Sequence, residues 1–209
     1  MELRYDKLGP KVVSALQSRF FEAWYFSEPG EAAEKVFSLI PKTDTVSWGG
    51  SLTAVGLNLQ KMAVEKGYKV IDRDKAQSPE ERTELQRQAL LCDTFLTGTN
   101  AITEDGQLVN IDGNGNRVAA MIYGPKQVIV VTGMNKVCST IMDAAARART
   151  IAGPANMQRF PNLKTPCSET GACADCLSAD SICTFIVRTR ICKPRGRIKV
   201  ILIGKDMGL

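Results

Sequence analysis

The stretch from Thr45 to Asp72 narrows the folds open to this chain more than any other. Thr45-Val46-Ser47-Trp48 is a short β-prone run that enters Gly49-Gly50-Ser51, and a helical pattern follows from Leu52 to Lys66, carrying Val55, Leu59 and Met62. Gly67 sits where a helix would end, and Tyr68-Lys69-Val70-Ile71-Asp72 reads as the next strand. Strand, glycine turn, helix, strand is the order in which a parallel sheet is built, because a crossover must carry the chain back to the end of the sheet it started from. The Gly49-Gly50-Ser51 turn then falls at the carboxyl end of a strand, where open α/β sheets bind ligands. Its glycines permit close approach to the backbone, Ser51 is an N-cap candidate, and the N–H groups beyond it are free to meet an anion.

The remaining elements extend this pattern. Residues 8–24 read as an amphipathic helix, with Val12, Val13, Leu16, Phe20 and Trp24 at three-to-four spacing, and a second helix runs from Pro29 to Ile40. Ser78-Pro79-Glu80-Glu81 is a helix start, and Leu85, Ala89, Leu90 and Leu91 are assigned to the core. Residues 94–132 carry the densest β signal: Thr94–Thr97, Asn100–Thr103, a turn at Asp105-Gly106, Leu108–Ile111, the run Val118–Ile122, and Gln127–Val131 as a central strand. Asn135 to Ile151 is expected to be one helix ended by Gly153-Pro154, and Arg197–Ile203 is a final strand buried on both faces. The expectation is one α/β domain over residues 1–209, a Rossmann-like parallel sheet with an extra β-hairpin portion.

An acid, two amides and a guanidinium crowd the loop Asp112-Gly113-Asn114-Gly115-Asn116-Arg117, which turn chemistry alone does not require. Asp112 is the first candidate for acid–base work, with Glu104 and Asp93 behind it, and Asp112→Asn is expected to leave folding nearly intact. Gly50 and Ser51 are expected to hold an anionic group, with Arg117 or Arg159 as the counter-charge. The chain has no histidine, so proton transfer near neutral pH falls to a carboxylate, a cysteine or a lysine. Cys92 lies in an apolar segment and reads as a buried thiol rather than a nucleophile.

Four of the seven cysteines, Cys167, Cys173, Cys176 and Cys183, fall in the pattern C-x5-C-x2-C-x6-C. Two thiolates three positions apart can face one ion, and the outer pair can complete a four-sulfur shell. Such a set takes zinc, copper(I) or an iron–sulfur cluster, and the spacing separates none of these from one another or from a cystine. Residues 160–195 are therefore expected to form a metal-binding excursion within the domain. An odd cysteine count and the absence of an apolar leader point to a reducing cytoplasm, and no stretch is long and apolar enough to span a membrane. The net charge of +5 is spread along the chain, and its few aromatics do not interleave with basic residues, which argues against nucleic acid.

Taken together, Trp48-Gly49-Gly50-Ser51, the run Gly98-Thr99-Asn100-Ala101-Ile102-Thr103-Glu104-Asp105-Gly106, Leu108-Val109-Asn110, Asp112-Gly113, Gly115-Asn116-Arg117-Val118-Ala119, Gly153-Pro154-Ala155-Asn156 with Arg159, and the cysteine segment resemble the lactate-utilisation (LUD) domain family in its stand-alone, cysteine-containing form. The resemblance implies a fold similar to the ribose-5-phosphate isomerase and CoA-transferase superfamily, whose members bind phosphosugars or acyl-CoA at strand ends. It places Gly49, Gly50 and Ser51 on a first ligand loop, Gly98, Thr99 and Asn100 on a second, and Asp112 to Arg117, including Asn116, on a third; Asn156 and Arg159 belong to the same set. It also implies a small anionic metabolite, an association with L-lactate oxidation, and iron–sulfur oxidoreductase subunits as partners. The alternative is a non-catalytic redox or assembly subunit with a structural zinc. A homodimer fits the superfamily likeness, although no exposed seam is legible.

Overall fold

A computed structural model describes all of residues 1–209. Six strands form one parallel sheet: β1 (Glu22–Phe26), β2 (Thr45–Trp48), β3 (Lys69–Ile71), β4 (Thr94–Thr97), β7 (Gln127–Gly133) and β10 (Ile198–Ile203), in the spatial order β1-β10-β7-β4-β2-β3. The central strands are apolar on both faces because both faces are covered. Val128, Val130, Val200 and Leu202 point into a layer with α1 (Glu2–Ser18) and α6 (Asn116–Ile122). Ile129, Val131, Ile201 and Ile203 point the other way, onto α2 (Pro29–Ser38), α3 (Leu52–Gly56) and α4 (Leu59–Glu65). All eight side chains are at most 1% exposed. Each such side chain contributes about 1.5–3 kcal/mol of burial, so this strand pair anchors the molecule.

A second, mixed sheet has the order β8-β5-β6-β9, with β5 (Ala101–Thr103), β6 (Leu108–Asp112), β8 (Val137–Cys138) and β9 (Phe185–Thr189). The β5–β6 hairpin is the expected insertion, turned at Asp105-Gly106. Gly106 has φ of +85°, and a Cβ there would lie 2.5 Å from the backbone of Ala15, so the hairpin tip is pressed against α1. Ala101, Val109 and Ile111 pack on Ala144 and Ala148, the inner face of α7 (Ile141–Arg147) and of the turn after it. No helix is long and apolar enough to cross a membrane.

Several segments depart from the expectation. The helix assigned to 8–24 starts at Glu2 and ends at Ser18; Phe20 turns the chain with φ of 69°, and Trp24 lies in β1. The helix assigned to 52–66 is two short helices, α3 and α4, divided at Asn58, which takes the left-handed conformation that asparagine tolerates. Val118–Ile122 is not a strand but the body of α6, entered through Gly115 at φ of 77°; a short apolar run has no period long enough to tell the two apart. Residues 135–151 are a 3₁₀ turn (Met134–Lys136), β8, α7 and a π-helical turn (Ala148–Ala152). Gly153-Pro154 does not stop the chain there: α8 (Gly153–Met157) begins on it, with proline in the first turn where no N–H is needed. The start of α5 (Pro79–Gln88) is as expected, with Ser78 Oγ accepting from Glu81 N–H, whereas Leu91 is 87% exposed instead of lying in the core. The cysteine excursion contains α9 (Pro166–Thr170) and then β9, which pairs antiparallel with β6 and ties the excursion to the hairpin sheet.

Candidate functional site

Parallel strands all deliver their carboxyl ends to one edge of the sheet, and the chain uses four of those ends to build one cleft. Gly49-Gly50-Ser51 follows β2, Arg73 and Asp74 follow β3, Gly98-Thr99-Asn100 follow β4, and Lys136 follows β7. The Asp112–Arg117 loop at the end of β6 faces them, and Asn156 and Arg159 close the side from α8 and its exit. The cleft encloses about 550 Å³, and only 9 of its 30 lining residues are hydrophobic. Arg73, Arg82, Arg117, Lys136 and Arg159 outnumber Asp74, Asp112 and Asp180 on its walls, which suits a small polar anion. All ten residues expected to bind ligand, and Asp112, lie on this one cleft.

Lining the cleft is not the same as being free to bind. Arg117 donates from Nε to Asp112 Oδ1 (2.8 Å), from Nη1 to Asn110 Oδ1 (2.6 Å) and Gly98 O (3.2 Å), and from Nη2 to Asn100 Oδ1 and Ile111 O (both 2.8 Å). A guanidinium has five N–H donors, so Arg117 has none left for a ligand. Asp112 belongs to the same network, its Oδ2 accepting from the Val118 N–H at 3.0 Å at the entry to α6. The pair therefore clamps β4, β6 and α6 together, with Asp112 on the cleft wall. Ser51 Oγ accepts from Ala54 N–H as an N-cap. Thr99 Oγ1 is bonded to Ala101 O and Val109 O, within the hairpin. Gly49 and Gly98 are required by close neighbours, since a Cβ would meet the Arg117 side chain at 3.1 Å in one case and Ser51 Oγ at 2.6 Å in the other.

The groups with capacity to spare are Gly50, Asn116, Arg159 and two that the sequence does not single out. Arg73 has a side chain only 12% exposed, its Nε has no hydrogen-bond partner, and its nearest carboxylate, Asp74 Oδ1, is 3.8 Å away. Its Nη2 would lie 3.0 Å from a Cβ on Gly50, so the guanidinium covers the first glycine turn. Burial lowers its pKa, opposed by Asp74. Lys136 is 5% exposed, and its Nζ donates to Thr53 Oγ1 at 3.2 Å. Burial, then Arg147 and Arg117, push its pKa from 10.5 down to about 8. The unfolded chain thus binds more protons than the folded one between those values, and stability rises with pH across that window. Lys136→Met should accordingly be more stable than the parent at about pH 7, with the difference in urea unfolding closing as the pH approaches about 10.5.

Two acidic candidates fall elsewhere. Glu104 lies in a shallow depression with Arg4, Lys7 and Lys11, remote from the cleft lining. Asp93 precedes β4, at the opposite end of the sheet, where it pairs with Lys126 at 2.7 Å and accepts from Thr45 N–H. Cys92 is buried, its thiol pushed up to about 12 chiefly by desolvation, and it has no nucleophilic character at neutral pH.

Cys167, Cys173, Cys176 and Cys183 line a single cavity of about 60 Å³ with Arg149, Thr165 and Ile186. All seven cysteines are free. The Cys183 thiol is raised by burial and then by the charges of the other three. No group of three or more Cys, Asp or Glu side chains is arranged as a preformed metal shell, so the four sulfurs share a cavity without closing on one point. Ser181 and Ile182 belong to the walls of both this cavity and the cleft. A Cβ on Gly113 would lie 3.2 Å from Ile182 Cα, so the cysteine segment packs directly on the Asp112–Arg117 loop.

The fold is similar to that of a DUF162 family protein from Deinococcus radiodurans, at 12% identity and a TM-score of 0.56, over 95% of this chain and 97% of that one. Likeness to ribose 5-phosphate isomerase A is partial. The match to the Methanocaldococcus jannaschii enzyme is 17% identical over 62% of this chain and 66% of that one, with a TM-score of 0.36. That to the Neisseria gonorrhoeae enzyme is 16% identical over 54% of each chain, with a TM-score of 0.35. No curated protein matches. The family profile described as LUD domain matches residues 10–203, which hold every strand of both sheets. The chain belongs to the LUD domain family.

Proposed function

We propose that the protein takes part in lactate or hydroxy-acid utilisation, binding a small anionic metabolite in the cleft and a metal or iron–sulfur centre at Cys167, Cys173, Cys176 and Cys183. The family supports the first half of this reading. The observation that carries the binding site is Arg73, a nearly buried guanidinium over Gly50 with an unpaired Nε. Burying a cation that makes no hydrogen bond and whose ion pair with Asp74 is as long as 3.8 Å is costly, and an anion seated between Arg73 and the Gly50 backbone offsets that cost. Asn116 and Arg159 are left to orient the rest of the ligand.

The test is thermal denaturation with L-lactate, pyruvate, sugar phosphates and CoA esters in the parent and in Arg73→Met. One of these classes should raise the midpoint of the parent. Arg73→Met should lose that rise while melting no lower than the unliganded parent, because it removes a nearly buried charge that makes no hydrogen bond and only a long ion pair. An unchanged ligand effect in Arg73→Met would remove Arg73 from the site, and no effect with any class would count against the cleft.

A second reading, a redox or assembly subunit of an iron–sulfur oxidoreductase, is favoured by one observation: the cysteine cavity and the cleft share Ser181 and Ile182. A centre there would share the Ser181–Ile182 wall with a bound metabolite.

A further inference from the structure

The site just proposed uses Arg73 and leaves Lys136 without a role, yet Lys136 is the more unusual group. It stands where β7 ends, on the cleft wall, and no carboxylate lies within ion-pair distance of it. Its one partner is the Thr53 hydroxyl, which donates its own proton to Met207 O at 3.2 Å. Thr53 Oγ1 therefore accepts an N–H from Lys136, and the nitrogen lone pair is not consumed by that bond. The two charged groups acting most on Lys136, Arg147 and Arg117, are both cations, and both oppose its protonation. Gly208 lies beside it: a Cβ at that position would come within 3.0 Å of Nζ. A buried amine in a positive setting, on the wall of a cavity and with a lone pair free in its neutral form, has the environment that activates lysine as a nucleophile.

We propose that Lys136 forms an imine with the carbonyl carbon of an anionic carbonyl compound held in the cleft. The Nζ lone pair attacks the carbonyl carbon to give a carbinolamine, the nitrogen proton passes to the oxygen, and water leaves as the C=N bond forms. No oxidant or reductant is needed. The anionic group of the ligand is the one that Arg73 would hold, so the inference rests on the cleft reading above. It deepens that reading by naming the ligand as an aldehyde or ketone bearing a carboxylate or a phosphate.

The full-length protein is incubated with pyruvate or with dihydroxyacetone phosphate in the presence of cyanoborohydride, which reduces an imine to a stable secondary amine, and the adduct is located by peptide mass mapping. Lys136 should be labelled at least about tenfold faster than any exposed lysine, because a lowered pKa leaves more of it as free amine near neutral pH. The two probes separate a carboxylate ligand from a phosphate ligand. The adduct should be absent from Lys136→Met and Lys136→Arg, each checked as folded by circular dichroism. Thermal denaturation with the same compounds, without reductant, reads binding separately. A midpoint shift without an adduct at Lys136 overturns the imine and leaves the cleft standing. Neither shift nor adduct overturns both, and adducts spread over surface lysines overturn the imine.

Discussion

Arg117→Met is expected to lose about 3–5 kcal/mol of stability, the range for removing one member of a buried ion pair. The loss should appear in urea unfolding as a lower midpoint at nearly unchanged slope. The methionine fills most of the space, so packing is not the cause. The substitution strips hydrogen bonds from Asp112, Asn110, Asn100 and the carbonyls of Gly98 and Ile111 at once, and leaves the Asp112 carboxylate buried without its cation. Those acceptors come from β6 and from the loop after β4, so the two sheets should separate more easily. Asp112→Asn breaks the same clamp from the other side. It should therefore be clearly destabilising, contrary to the mild effect that its place in a glycine-rich loop suggests. A midpoint within experimental error of the parent for Arg117→Met would mean that the clamp is not what joins the sheets.

Replacing Cys173 and Cys176 together by serine should empty the sulfur site. Parent protein prepared without oxygen should carry iron or zinc in stoichiometric amount, and the double variant close to none. A brown preparation that bleaches in air identifies a cluster, and a colourless one with zinc identifies a staple. Without the metal, residues 160–195 should become the first region cut by protease, while far-UV circular dichroism keeps the signal of the parallel sheet, whose core lies elsewhere. Because Ile182 packs on Gly113, the cleft should also bind its ligand more weakly in the double variant. Metal content and protease resistance equal to the parent would exclude the four-sulfur site.

The parallel sheet is legible in the sequence because its strands carry continuous apolar runs and because the β2 glycine turn separates a strand from a helical pattern. The spatial order of the strands is not, since it is set by which faces pack and not by any local run. Phe20–Trp24 reads as helix because both aromatics extend the period of α1 by chance; the break is a backbone turn with φ of 69° at Phe20, which leaves no mark on the hydrophobic pattern. The cleft loops after β2, β4 and β6 stand out because glycine and asparagine cluster at strand ends. Arg73 does not: Asp72-Arg73-Asp74-Lys75 has the composition of a solvated turn, and only tertiary packing buries its guanidinium. The rule that parallel strands present ligands at their carboxyl ends is the signal that could single it out, one position past Asp72. Lys136 is hidden inside a segment whose apolar spacing imitates one long helix.

The π-helical turn at Ala148–Ala152 joins α7 to α8. Such a turn holds one residue more than an α-helical turn. The extra residue is absorbed within the turn, so α8 leaves it in nearly the phase that α7 set, with Asn156 and Arg159 turned to the cleft and Gly153 beside the Cys183 thiol. A variant one residue shorter within Ala148–Ala152 should close an ordinary α-helical turn there and keep the sulfur-lined and arginine-lined ends of the molecule in register.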